Sequence, residues 1–91
     1  MSKGAEILKF LVGKGGKKAK MDEDDDAVTV YLKDDPDSYV GIMWHEENEE
    51  FIAYSYEEGV NHESQDIAAA PTLEEVWKEA GNGFHSDILR R

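Results

Sequence analysis

Between Ala27 and Tyr56 the chain repeats one pattern three times, with an apolar residue at every second position and each run closed by acids and turn formers. In Ala27 to Lys33 the residues Val28, Val30 and Leu32 alternate with Thr29, Tyr31 and Lys33. In Tyr39 to Trp44, Val40, Ile42 and Trp44 alternate with Tyr39, Gly41 and Met43, and in Phe51 to Tyr56, Ile52, Tyr54 and Tyr56 stand opposite Phe51, Ala53 and Ser55. A period of two is the repeat of a strand with two distinct faces. The runs are separated by Asp34-Asp35-Pro36-Asp37 and by His45 to Glu50, spacings that favour an antiparallel meander. Both faces of that sheet carry large apolar groups.

Helices flank the meander. Ile7, Leu8 and Leu11 recur at spacings of three and four within Ala5 to Val12, which predicts a short amphipathic helix ending near Gly13. Gly13 to Lys20, followed by Met21 to Asp26, reads as a mobile linker of opposite charge blocks. The segment from Gly59 to Ala70 fits a short helix or an extended stretch equally. Thr72-Leu73-Glu74-Glu75 is a capping box, so a helix starts there, buries Leu73, Val76, Trp77 and Ala80, and ends at Gly81. One last turn, capped by Ser86, is expected within Phe84 to Arg91. The expected fold class is therefore α+β in the order α-β-β-β-α, a three-stranded antiparallel meander with helices on one face. It forms a single domain over residues 1–91, with helix and charged linker to 26, meander over 27–56, and C-terminal helix and turn over 72–91. At 91 residues, with 40% hydrophobic side chains, there is apolar material for one core and not for two.

Charge is distributed unevenly. Residues 1–20 hold six lysines and one glutamate, a net of +5, whereas residues 21–91 hold 20 carboxylates against Lys33, Lys78, Arg90 and Arg91, a net of −16. Such a body repels DNA and anionic membranes and attracts basic partners. No direct nucleic-acid binding and no membrane binding are expected. The longest apolar run, Phe10-Leu11-Val12, is too short for a bilayer span or a signal-peptide core, which points to a soluble, cytoplasmic protein.

Motifs for chemistry fall short of their spacing. Gly13 to Lys18 lacks the G-x-x-x-x-G-K-[ST] pattern of a phosphate loop. Asp22, Asp24 and Asp26 match the opening of a calcium loop, yet Ala27 and Lys33 stand where glycine and a bidentate glutamate are required. His45, His62 and His85 are too far apart for a zinc motif, and cysteine is absent. Glu57 and Glu58 are adjacent on a strand end and so point apart, and no serine lies in a G-x-S-x-G elbow. No enzyme activity, no cofactor and no metal are expected. Trp44 and Trp77 fall on apolar stripes and are expected in the core.

The acids themselves remain. Asp34, Asp35 and Asp37, then Glu46, Glu47, Glu49 and Glu50, then Glu57 and Glu58 all border strands, as does the Asp22 to Asp26 block. The groups at the Asp34 turn, at Glu57 and near Asp26 can gather at sheet ends beside a second face formed by Tyr31, Tyr39, Met43 and Phe51. The expected partner-binding set is Asp34, Asp35, Asp37, Glu46, Glu47, Glu49, Glu50, Glu57, Glu58, Tyr31 and Tyr39. The plainer account is that acidic turns keep a small domain dissolved. Adaptation to high salt is opposed by eight lysines against two arginines and by their segregation.

In length, acidity and element order the chain resembles phage-encoded DNA-mimic inhibitors, the anti-CRISPR and anti-restriction proteins. The resemblance implies a basic nucleic-acid-binding protein of a defence system as partner. Thr72-Leu73-Glu74-Glu75-Val76 is similar to the helix start that follows the small sheet of HicB-type antitoxins, which implies, as the alternative, an antitoxin or immunity protein that neutralises a basic toxin. The strand order also resembles double-stranded-RNA-binding domains, but Lys17-Lys18-Ala19-Lys20 precedes the sheet and the last helix carries Glu74 and Glu75, opposite in position and sign to that family. Monomer and homodimer are both compatible with an uncovered second face.

Overall fold

The computed structural model describes residues 2–32, 35–57, 59 and 63–89, with main chain alone for 32, 35 and 36. Helix α1 (Lys3–Gly13) is followed by a turn of 3₁₀ helix at Lys18–Lys20, strands β1 (Met21–Glu23), β2 (Ala27–Leu32), β3 (Asp35–His45), β4 (Glu50–Tyr56) and β5 (Gln65–Ala70), and helix α2 (Leu73–Leu89). The sheet is antiparallel throughout, in the order β1-β2-β3-β4-β5. The α+β class and the three central strands agree with the alternation in the sequence.

Two strands were not visible in that pattern. The expected charged linker at Met21 to Asp26 instead contains β1, which pairs with β2 from Met21↔Val30 to Glu23↔Val28. Backbone hydrogen bonds hold it there, closed by Asp24 N donating to Ala27 O at 2.8 Å, so its acidic side chains did not exclude a strand. The segment left open at Gly59 to Ala70 supplies β5. Alanine favours helix locally, but the free edge of β4 offers a ladder that captures Ala68 and Ala70, with a bulge between Ala53 and Tyr54. In place of a turn over residues 34–37, Asp35 to Asp37 belong to β3, while Lys33 and Asp34 lie outside the described residues.

Helix α1 starts on Ser2, whose Oγ accepts from Ala5 N at 3.1 Å. It ends at Gly13, as expected, but the left-handed residue that closes it is Gly15 rather than Gly13. Gly15 takes φ 109°, Gly15 N donates to Val12 O at 3.0 Å and Gly16 N donates to Leu11 O at 2.9 Å, a Schellman motif. Helix α2 starts as the capping box requires, with Thr72 Oγ1 accepting from Glu75 N at 3.2 Å. Gly81 ends its first helical stretch, as expected, and what differs is the length of the second stretch, in which Ser86 is an interior residue rather than a cap. At φ 86° and ψ 177° Gly81 breaks the regular ladder, and the helical path resumes to Leu89 because Phe84 and Ile88 are buried in the core. The Trp77 carbonyl is bonded to His85 Nε2 across the kink, and the two rings stack at 4.0 Å.

One apolar cluster joins everything. Ile7 and Leu11 of α1 and Val76, Trp77, Phe84 and Ile88 of α2 pack on Val28, Val30, Val40, Ile42, Phe51, Ala53 and Ala70. Both helices therefore cover the same face of the sheet, as expected. Trp77 is in this core, and Trp44 packs at its margin against Phe51, ring centroids 4.8 Å apart. Phe51, expected on the second face, is 4% exposed and faces the helices. Antiparallel partners share a face, so pairing with Trp44 places it inside.

Candidate binding surface: an acidic sheet end and a tyrosine face

Register decides where the acids go. Ala27 pairs with Met43, His45 pairs with Glu50, and Trp44 N donates to Asp26 O at 2.7 Å. These bonds bring the β1–β2 turn, Asp24 to Asp26, beside the β3–β4 turn, Glu46 to Glu49, at one end of the sheet. Six of the seven carboxylates there, Asp24, Asp25, Asp26, Glu46, Glu47 and Glu49, are exposed, and Glu50 is half-buried. Glu49 holds φ 51°, a backbone region that non-glycine residues disfavour, as the last residue of its turn before β4. Among the described residues the ion pairs involve Glu6 and Glu74, and none of these seven takes part in one. The neighbouring cation is Lys3, whose Nζ lies 4.3 Å from the Trp44 ring centroid on the helix side. Gly4 N donates to Asp25 O at 2.9 Å, so the start of α1 is tied to the same end.

The predicted acids do not form one patch. Glu46, Glu47, Glu49 and Glu50 join Asp24 to Asp26, whereas Asp35, Asp37 and Glu57 lie at the opposite end, where β3 starts and β4 finishes. Asp34 and Glu58 fall outside the described residues, as does His62. Lys18–Lys20 leads into β1 near that opposite end, since Met21 pairs with Val30. Charge is thus polarised along the strands, acidic at one end and mixed at the other.

The face away from the helices is built from the other half of each alternation. Tyr31 and Tyr39 are here, as predicted, with Met43; Tyr54 and Tyr56 join them where Phe51 was expected. Ring centroids of Tyr39 lie 5.9 Å from Tyr31, 6.1 Å from Tyr54 and 5.4 Å from Tyr56. Gly41 makes the close packing possible, because a Cβ there would stand 2.5 Å from Tyr54 Oη and overlap the Val28 carbonyl oxygen. Tyr54 lies across this bare backbone, bonded to Thr29 Oγ1 at 2.6 Å, and Tyr39 Oη bonds to Ser64 Oγ at 3.0 Å. Burial pushes the Tyr54 phenol above its ordinary pKa; the Thr29 hydrogen bond opposes this, and Tyr39, Asp24 and Tyr31 add to it electrostatically. Thr29, Tyr31, Tyr39, Met43, Tyr54 and Asp66 line an open hollow of about 370 Å³.

Asp66, Ser64 and Thr29 were missed in the sequence. Alternation puts Thr29 on the face of Tyr31, but with Phe51 expected on that face it puts Tyr54 on the opposite one, so their meeting across Gly41 depends on register, and Ser64 and Asp66 depend on β5. Among the described residues no group of three or more His, Asp or Glu is placed to hold a metal ion, and no helix is long and apolar enough to cross a membrane. The chain matches no protein-family model, and no curated protein or solved structure resembles it at a significant level.

Proposed function

We propose that this chain is a non-enzymatic inhibitor that binds a basic nucleic-acid-binding protein, presenting its acidic sheet end in place of a phosphate backbone as DNA mimics of the anti-CRISPR and anti-restriction kind do. The observation that carries this reading is the union of two acidic turns through the Trp44–Asp26 backbone bond, which gathers seven carboxylates without ion-pair partners among the described residues. Solubility alone asks only for dispersed charge. Gathering like charges on one end opposes the compact state and raises the local field that steers cationic partners. The hydroxyls of Tyr54 and Tyr39 in the hollow are bonded to those of Thr29 and Ser64, which suits a binding surface better than a nucleophile awaiting a base.

The test is competition. The purified protein is added to a panel of restriction and CRISPR effector nucleases bound to fluorescent double-stranded DNA, and DNA release is followed by anisotropy. Release from at least one effector is expected, weakening steeply between about 0.05 and 0.3 M salt, because surface charges separated by more than roughly 10 Å are screened at 0.1 M. Reversal of Glu46, Glu47, Glu49 and Glu50 to lysine should abolish release with the far-ultraviolet circular dichroism unchanged. Release that ignores both salt and charge reversal, or no release from any effector, overturns the proposal.

A further inference from the structure

We propose that the tyrosine hollow on the open face of the sheet is a receptor for a guanidinium group, taking the head of an arginine side chain from the basic partner. The inference rests on the reading of the chain as a binder of such a partner and names the chemistry of a second contact. Tyr31 and Tyr54 stand at 65° and 73° to the Tyr39 ring, so the walls of the hollow are formed by steeply inclined aromatic planes rather than by one flat platform. The bonds from Tyr54 to Thr29 and from Tyr39 to Ser64 fix two of these rings and engage their hydroxyls; Tyr54 is buried and one face of Tyr39 stacks on Tyr56, so the exposed Tyr31 ring supplies the main free π face. Such faces attract organic cations.

The wall also carries a carboxylate. Asp66 pairs with Tyr54 across the β4–β5 ladder, lies on the same face, is exposed, and lines the hollow, which has no lysine or arginine among its lining residues. A planar guanidinium can stack on a phenol ring and still direct a fork of N–H donors at this carboxylate, whereas an ammonium offers a point charge without a stacking plane. Charge excludes the competing occupants. A second copy of this chain would bring another net charge of −11 to the same place, and single-stranded nucleic acid, which also stacks on aromatic sheet faces, would meet the same repulsion.

Amide chemical shifts of the isotopically labelled protein test this. The background is the variant with Glu46, Glu47, Glu49 and Glu50 reversed to lysine, which removes most of the acidic end and keeps the hollow. It is titrated with a short arginine–glycine peptide, with the same peptide carrying lysine, and with the same peptide carrying citrulline, the neutral isostere. Shifts at Thr29, Gly41 and Asp66 are expected with the arginine peptide, weaker with lysine and absent with citrulline. Tyr31→Leu removes a 44%-exposed ring without disturbing the core, and it and Asp66→Asn should each weaken the arginine peptide about threefold to fivefold. Equal binding of citrulline, shifts confined to the acidic turns, unchanged affinity in both variants, or preference for an oligonucleotide overturns the inference. Loss of DNA competition on charge reversal together with no shifts in the hollow would remove the arginine site and leave the proposed function standing. Shifts in the hollow without competition at any effector would do the reverse.

Discussion

Gly41→Ala probes how tightly the open face is built. The added Cβ meets the Val28 carbonyl oxygen and stands 2.5 Å from Tyr54 Oη and 2.6 Å from Cζ. The carbonyl belongs to the β2 main chain and cannot turn aside, so Tyr54 must leave its seat over Gly41. Overpacking of this kind costs about 1–3 kcal/mol. Displacing the phenol also breaks its 2.6 Å bond to Thr29 Oγ1, a further ~1 kcal/mol. Replacing glycine by alanine restricts the unfolded chain and returns roughly 0.5 kcal/mol. The net loss is about 1.5–3.5 kcal/mol, a large share of the roughly 5–14 kcal/mol that a chain of this size possesses. Urea unfolding followed by the fluorescence of Trp44 and Trp77 reads the change. With a slope of about 1–1.5 kcal/mol per molar urea, the midpoint should fall by about 2 M. Tyr54→Phe, which keeps the ring and loses only the hydroxyl, should lose about 1 kcal/mol. A shift in Gly41→Ala no larger than that of Tyr54→Phe would refute the steric argument.

Two more predictions concern the cap and the phenol. Thr72→Ala removes the acceptor for Glu75 N and should cost about 1 kcal/mol, lowering the melting temperature by about 4–8 °C in calorimetry. Because the Tyr54 pKa is raised in the folded state, the unfolded chain releases this proton first as pH climbs past about 10. Stability from this group is therefore intact below that pH and falls above it until Tyr54 itself ionises, with a slope of at most about 1.4 kcal/mol per pH unit; alkaline urea titrations should show the decline in the parent protein and less of it in Tyr54→Phe.

The central sheet was legible because its three strands each bury one face, and the period of two survives every polar interruption. Thr72 was legible because a capping box is a local device. The edge strands were not. β1 presents two exposed acids, Asp22 and Glu23, and only Met21 packs against the core, so its existence depends on the ladder to β2 rather than on a hydrophobic pattern. β5 is alanine-rich and carries a bulge that disrupts the alternation just where Ile67 is left 41% exposed. Gly81 was legible as a stop because glycine takes the positive φ that breaks a helix; the extent of the second helical stretch was not, because it depends on the burial of Phe84 and Ile88. Phe51 was assigned to the wrong face because the turn before it hides the phase of the alternation. The pairing sum that joins Trp44 to Phe51 resolves it, and that sum follows from a four-residue turn at Glu46 to Glu49 closed by His45 and Glu50.

The same register that separates the predicted acids into two groups also connects one group to the tyrosines. Met43, which lines the hollow, is three residues from Glu46, and Ala27, its cross-strand partner, directly follows Asp26. At about 3.3 Å per residue along a strand the wall of the hollow lies roughly 10 Å from the acidic turn. A partner surface of ordinary size spans that distance, so a cluster of cations at the sheet end and one arginine on the face can be engaged together. The two contacts differ in kind. Exposed carboxylates act over several ångströms, are screened by salt and chiefly set the rate of encounter. Cation–aromatic contact and a forked bond to Asp66 act only at close range, after encounter, and chiefly set how long the complex lasts. Charge reversal at Glu46 to Glu50 should therefore slow association, and loss of Tyr31 should speed dissociation, so the kinetics of the two variants assign each surface its part.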